Sequence, residues 1–290
     1  MLTCTPLLTE GPSARTLLRI AGEEAGSFLN ALVSNDVSAL PPGRATYAAL
    51  LTPQGKFLHD MLVVGQENAL LLDVAAAGAA DLRKRLMLYR LRAKIEIAEL
   101  DWQGFALFGE GAEPAIAGDG VLFRDPRHPA LGWRLWLPAD ATPDLTIAEP
   151  ELYERHRLAL GVPDGARDIE TGKGLLLENH FEDLHGVDFR KGCYIGQELT
   201  ARTKYRGLVK KQLHIVTAAP GSVLPPAGTI ITLDGQEAGE MRSSFEHAGL
   251  ALLRLDVVAK AMQSGAPLDC EGVALTPRRP DYASPAPAKD

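Results

Sequence analysis

The sequence predicts an α+β protein: a mixed body of short strands and a few helices, followed by a small C-terminal β barrel. Three observations carry this reading. Strand-length apolar runs dominate the first hundred residues and are broken by only two stretches of helical spacing. After Gly207 the texture changes to apolar runs at Leu208–Thr217, Gly228–Leu233, His247–Leu253 and Leu268–Leu275, set apart by Pro and Gly turns. The 290-residue length suits about two domains and a large core that needs no disulfide or metal.

The elements follow in order. Thr16–Ile20 reads as a strand. Gly22 opens a helix over Glu23–Leu32, with Glu23 and Glu24 in its first turn and Phe28, Leu29 and Leu32 on one face. Arg44–Leu51 and Phe57–Val64 are strands joined at Thr52-Pro53-Gln54-Gly55, where proline second and glycine fourth suit a type I turn. Asn68–Val74 is a further strand. Ala79–Arg92 is a helix, with Leu82, Leu86 and Tyr89 recurring amid Arg83, Lys84, Arg85, Arg90 and Arg92. Lys94–Leu100 alternates as a strand does.

Gly and Pro punctuate the chain from Gly109 to Pro129, and the strand Gly132–Leu137 follows. Glu151–Leu160 reads as a helix ended by Gly161 and Pro163. Loops with short helical turns are expected from Gly165 to Gly186. The expected parts are 1–100, 101–206 and a barrel at 207–276. Residues 277–290, with four prolines, read as a disordered tail.

The composition is 46% hydrophobic and 23% charged, which excludes a disordered or collagenous chain. Net charge is −7, so contact with nucleic acid or a membrane surface would have to come from a local patch. Neither is expected as a partner. The longest uncharged stretch, Gln212–Leu233, holds Pro220, Pro225 and Pro226 and does not read as a membrane span. Three scattered cysteines, Cys4, Cys193 and Cys270, lack metal-site or disulfide-framework spacing, so no stable metal is expected. A reducing compartment follows. With no basic or Arg-rich leader pattern, a cytoplasmic location is expected.

The segment with the most chemistry is Lys191-Gly192-Cys193-Tyr194-Ile195-Gly196-Gln197-Glu198. A lone cysteine is more often a small buried hydrophobe than a nucleophile. Here Arg190 and Lys191 stand close in sequence, and cations favour a thiolate. A helix over Ile195–Arg202 would also set Cys193 near its N-terminus. Gly192 and Gly196 allow tight bends, and Gln197 and Glu198 add polar groups that can orient a ligand.

This string resembles the signature of the YgfZ-like folate-binding iron–sulfur-cluster maintenance proteins, relatives of the glycine cleavage T-protein. The flanking Leu199-Thr200-Ala201-Arg202-Thr203 and Leu184-His185-Gly186-Val187-Asp188-Phe189 also match, closest to the branch with mitochondrial homologues. So do Ile20-Ala21-Gly22, Phe28-Leu29, Asn35-Asp36-Val37, Gly43, Tyr47 and Leu50-Leu51-Thr52-Pro53-Gln54-Gly55-Lys56. The resemblance covers about residues 15 to 275 and implies a three-part, T-protein-like body around a central opening, ending in a barrel.

It also implies site residues. The T-protein's acidic pair falls on His59-Asp60, where only one acid remains, and Asp60 matches the carboxylate that assists folate attack. Glu178, with Asn179 beside it, matches a pterin-contacting carboxylate, whose two oxygens suit the pterin's paired N–H donors. Cys193 is the expected essential thiol, with Lys191 and Asp60 as its companions in chemistry. Tyr194, Gln197, Glu198 and Arg202 join Glu178 and Asn179 as expected contacts to tetrahydrofolate or another reduced folate.

Seven basic residues (Arg190, Lys191, Arg202, Lys204, Arg206, Lys210 and Lys211) against the single acid Glu198 suit an anion such as the glutamate tail of folate. Trp133 and Trp136 could stack on a pterin, although aromatic residues in a strand are usually core. The implied function is a folate-binding accessory factor for assembly or repair of iron–sulfur clusters, with client enzymes or cluster carriers as partners. Oxidative-stress resistance and tRNA modification would be felt through those clusters. Whether Cys193 ligates cluster iron, exchanges a disulfide or attacks a one-carbon unit stays open. The rivals are a tetrahydrofolate-dependent aminomethyl transferase and a folate-sensing scaffold.

Overall fold

A computed structural model describes residues 1–284 apart from 9, 112–113 and 115–117. The first part of the chain runs β1 (Leu2–Pro6), β2 (Arg15–Ala21), α1 (Ala25–Asn30), β3 (Ala45–Leu51), β4 (Phe57–Gln66), β5 (Ala69–Ala75), α2 (Ala76–Arg90) and β6 (Glu96–Leu100). The middle runs β7 (Trp102–Gly109), β8 (Val121–Arg124), β9 (Trp133–Pro138), α3 (Glu151–Leu160), α4 (Gly165–Asp168) and α5 (Gln197–Tyr205). The last part runs β10 (Lys211–Thr217), β11 (Ile230–Leu233), β12 (Gln236–Phe245), β13 (Ala248–Arg254), α6 (Leu255–Ser264), β14 (Leu268–Cys270) and β15 (Val273–Arg278).

Five strands form an antiparallel sheet in the order β3-β4-β5-β2-β6. Its strands are apolar on both faces, as a doubly covered sheet requires. One face (Leu18, Ile20, Leu50, Met61, Val63, Leu72) packs with Leu29 of α1 and Leu82 and Leu86 of α2. The other (Leu17, Tyr47, Leu51, Leu62, Leu71) packs with Phe108, Phe123 and Trp136 of the second sheet and with Leu176, Phe181 and Leu184. The β3–β4 turn closes by Gly55 N–H donating to the Thr52 carbonyl at 2.8 Å, with Gly55 at φ +68°. The expected helix over Glu23–Leu32 is shorter because Val33 bridges to Leu50, pulling the chain onto the sheet edge.

The second sheet has the order β1-β7-β9-β8. β1 therefore leaves the first hundred residues and pairs with β7, Cys4 facing Leu107. Trp136 is buried here and donates Nε1–H to Asp73 at 3.3 Å, while the Arg124 guanidinium covers Trp133 at 4.3 Å. Both rings are engaged within the protein, in keeping with the usual core role of aromatic residues in a strand. The last six strands close a barrel, β10-β13-β12-β11-β14-β15, around Val216, Ile231, Met241, Leu253 and Leu275. Pro277 and Arg278 complete β15, and the Tyr282 hydroxyl donates to the Gly161 carbonyl at 2.7 Å. Residues 277–284 are thus built into the fold, contrary to the expected tail, whose residues 285–290 lie outside the described ones.

Where the parts meet, a cavity of about 210 Å³ is lined by Arg15, Arg127, Arg134, Arg157 and Arg167 among others. Buried charges must be paired, and these are. Arg15 bonds Asp73 at 2.7 Å, Arg127 bonds Asp125 at 2.7 Å, and Arg157 bonds Glu154 at 2.6 Å and Asp168 at 3.0 Å. Arg167 reaches Glu154 at 2.7 Å and Asp164 at 2.9 Å. Burial pushes the Asp125 and Asp164 carboxyls up, but the guanidiniums prevail and hold each at about 2.

Candidate functional site

The signature loop is fastened to the first sheet before it reaches the cysteine. Ser34 Oγ donates to the Gly186 carbonyl at 2.6 Å, Asn35 Nδ2 to the His185 carbonyl at 2.6 Å, and Asp188 N–H to the Ser34 carbonyl at 3.0 Å. Lys191 then buries its ammonium against the carbonyls of Asn30 (2.7 Å), Val33 (2.8 Å) and Asn35 (2.7 Å). An ammonium has three N–H donors, and here all three are used. Asn30 ends α1, where carbonyls lack helical partners and the dipole favours a cation. Burial pushes Lys191 down to about 8 while Asp36 and Asp188 pull the other way. Lys191, expected beside the thiol in the chemistry, clamps the loop to these carbonyls.

The next residues grip both cores. Tyr194 is buried in the core shared with the second sheet, and Ile195 packs against the helix-covered core. Gly196, at φ +82°, lies so close to the β3–β4 turn that a Cβ would stand 2.6 Å from the Thr52 carbonyl oxygen. α5 starts at Gln197. Between the Lys191 clamp and the Tyr194 anchor, Cys193 is exposed, while Cys4 and Cys270 are buried. Burial pushes both of those thiols up to about 11, leaving them as inert apolar groups. The cations expected to attend Cys193 are elsewhere: Lys191 faces carbonyls and Arg190 extends into solvent.

Tyr194, an expected ligand contact, is a buried anchor of the loop. Its phenol is pushed up to about 12 by burial. Glu198 and Arg202 pair with each other across one turn of α5 at 2.9 Å, both solvent-exposed, and Gln197 is half-buried at the start of that helix. Of the remaining basic cluster, Lys204 pairs with Glu182 and Lys211 approaches Glu237 at 4.0 Å. Arg206 and Lys210 are exposed. The seven cations do not converge on one anion site.

His59 and Asp60 are neighbours on β4, so their side chains leave opposite faces. His59 Nε2 meets Asp81 of α2 at 2.8 Å. Asp60 faces the other core, accepts from the Tyr47 hydroxyl at 2.9 Å, and touches Gly165 so closely that a Cβ there would overlap its carboxyl. Burial raises the Asp60 pKa, against Arg15, which lowers it. The pair is therefore not a pair in space. Asp60 borders a cavity of about 190 Å³ whose lining includes His59, Val74 and Ala166 but neither Glu178 nor Cys193.

Glu178 is half-buried in the short 3-10 turn Leu176–Asn179, and burial raises its pKa against the fields of Lys56 and Lys211. Asn179 donates Nδ2–H to the Leu175 carbonyl at 2.9 Å, while its Oδ1 is buried without a partner. A carboxyl plus an unused acceptor fits the donor edge of a pterin. The charges acting on Asp60 (Arg15, Asp164, Arg127) and on Glu178 (Lys56, Lys211, Arg242) share no residue. Among the described residues no group of three or more His, Cys, Asp or Glu side chains is placed to hold a metal.

The chain matches the GCVT N-terminal domain over residues 13–118 and the CAF17 C-terminal beta-barrel domain over residues 210–285. It is 36% identical to the iron–sulfur cluster assembly factor IBA57, mitochondrial, of Homo sapiens, over 82% of this chain and 75% of that protein. The Mus musculus protein of the same name is 34% identical over 84% and 76%. This chain belongs to the IBA57/CAF17 family. The YgfZ-like proteins it resembles in sequence are a related family. A Neurospora crassa IBA57 homolog, also named mitochondrial, is 33% identical over 87% of this chain and 71% of its own length.

The fold is T-protein-like. The crystal structure of the glycine cleavage aminomethyltransferase T from Bartonella henselae superposes with TM-score 0.74 over 97% of this chain and 86% of that one, at 15% identity. The cytoplasmic expectation is overturned, since the names of the IBA57 relatives point to a mitochondrial location. Cysteine scarcity separates reducing from oxidising compartments but not one reducing compartment from another. The functional carbonyls of Asn30, Val33 and Asn35 were invisible to motif reading, because a backbone acceptor carries no side-chain signature.

Proposed function

We propose that this IBA57-family chain is an iron–sulfur cluster assembly factor that offers Cys193 as one ligand to a cluster carried by a partner. The observation that carries the reading is the contrast among three thiols: two are buried, and the third is exposed on a loop held at both ends. A [2Fe–2S] cluster takes four protein ligands. One accessible thiol supplies a single bond, so the remaining ligands belong to the carrier. The thiol releases its proton on binding iron, and the cluster is cargo on both sides of the exchange.

A reduced folate, where one binds, would be held by Glu178 and Asn179 and would supply a one-carbon carrier. In this reading it is a ligand of the factor and not a substrate of Asp60, whose carboxyl is engaged by the Tyr47 hydroxyl. The T-protein-like transferase reading therefore finds less support. Complementation of cells lacking their own factor tests the proposal, with activity of a four-iron, four-sulfur enzyme as the readout. Wild type and Asp60→Asn are expected to rescue and Cys193→Ala to fail. Equal rescue by Cys193→Ala removes the thiol from the function.

A further inference from the structure

Helix α2 has two apolar faces. Ala79, Leu82 and Leu86 are buried toward β2 and β5. On the opposite side, Lys84, Met87 and Leu88 share one helical stripe, and Leu91 stands just past the end of the helix. This second stripe is uncovered: Leu88 is 70% and Leu91 88% exposed, with Met87 at 42%; Tyr89, nearer the buried face, is 45% exposed. Leu91 closes the helix at φ +44°, a conformation uncommon for leucine, and projects at the tip.

The charges within the stripe's own stretch of chain are of one sign, with Glu24 alongside at Lys94, whose backbone N–H donates to the Glu24 carboxylate at 2.6 Å. Residues 83–94 contain Arg83, Lys84, Arg85, Arg90, Arg92 and Lys94 and no acid, within a chain of net charge −7. Arg85 pairs with Asp81 at 2.6 Å. The other five are exposed and form no ion pair among the described residues. The helix dipole accounts for Arg90 in the last turn but not for the leucines.

We infer that the end of α2 docks on an anionic lipid surface. Projecting Leu, Met and Tyr side chains ringed by cations match the two needs of interfacial binding, apolar insertion and attraction to acidic headgroups. A second copy of this chain fits poorly, because a two-fold contact would set five unpaired cations against five. The overall negative charge keeps the attraction local, within about a Debye length of 10 Å at ordinary salt.

Co-sedimentation of the full chain with vesicles tests this. Phosphatidylcholine vesicles containing about one-third phosphatidylglycerol are expected to bind at least about tenfold more tightly than pure phosphatidylcholine. Leu88→Ser/Leu91→Ser is expected to abolish binding with an unchanged melting temperature, since both side chains are exposed. Arg83→Gln/Lys84→Gln/Arg90→Gln is expected to remove the preference for anionic lipid. No sedimentation with anionic vesicles, or sedimentation indifferent to the double leucine variant, overturns the inference. So does a stripe that is buried by dimerisation in light scattering, or by an acidic cluster carrier mixed with the chain, in the absence of vesicle binding.

Discussion

The Lys191 ammonium lies 2.7 Å from the Asn30 carbonyl, joining two points 161 residues apart in sequence. Through it, the loop that presents Cys193 is tied to the end of α1 and to the chain leading into β3. The loop's position is therefore a property of the first sheet as much as of the signature itself. Lys191→Met would strand three carbonyls and is expected to cost about 1–3 kcal/mol or more, the range for leaving a buried acceptor unpaired. Urea unfolding measures the loss. Limited proteolysis should show new cleavage between Gly186 and Gly196. Lys191→Arg should not restore stability, because a planar guanidinium cannot direct three N–H groups as a tetrahedral ammonium does.

The two glycines of the signature are predicted to differ. Gly196 sits at φ +82° with no room for a Cβ, whereas nothing lies within 4 Å of a Cβ built on Gly192. Gly196→Ala is expected to destabilise by about 2 kcal/mol or more, through backbone strain and displacement of the β3–β4 turn. Gly192→Ala should leave the melting temperature within about a degree or two. Equal effects from the two substitutions would contradict the packing of the loop against Thr52 and Gly55.

His214 is buried in β10, its Nδ1 2.9 Å from the Gln212 carbonyl, and burial pushes its pKa down to about 4. Between pH 6.5 and 4 the unfolded imidazole takes a proton that the folded one refuses. Stability therefore falls as pH is lowered through that window, by at most about 3 kcal/mol from this group. His214→Gln should flatten the decline by about one proton in urea titrations at successive pH values. Asp125 and Asp164, each held at about 2, add a further loss below about pH 4 in wild type and variant alike.

Asp60 works in the opposite sense. Its folded pKa is raised, so its ionisation opposes folding as pH rises through that pKa. Asp60→Asn keeps an acceptor for the Tyr47 hydroxyl and removes the buried charge. The variant is expected to be as stable as wild type at neutral pH, or more stable, with a flatter profile above pH 4. Calorimetry across pH 4 to 8 reads this directly. A marked loss of stability at pH 7 would show that the field of Arg15 outweighs burial.

The fold was legible where apolar runs mark strands. The β3–β4 hairpin announces itself through Thr52-Pro53-Gln54-Gly55, and the end of α3 through Gly161, which sits in the left-handed region at φ +78°. β12 was missed because, of its buried positions Ala238, Gly239, Met241 and Ser243, only Met241 is a large apolar residue, so they give no apolar run. β1 was missed because its partner, β7, lies a hundred residues away. At the site, the signature pointed to Cys193 and to the tight bends around it. The bonds of Lys191 were not legible, because a cation beside a cysteine in sequence suggests thiolate chemistry, whereas its long side chain reaches carbonyls on another element. The loss of the acidic pair at His59-Asp60 was legible, and adjacency along a strand already implied that the two side chains leave opposite faces.

The most direct measurement mixes the reduced chain with a [2Fe–2S]-loaded carrier and follows complex formation by size exclusion with visible absorbance. The account predicts a complex that retains the cluster in wild type, Cys4→Ser and Cys270→Ser, and that fails to form in Cys193→Ser. A cluster-bearing complex of undiminished stability with Cys193→Ser would contradict it.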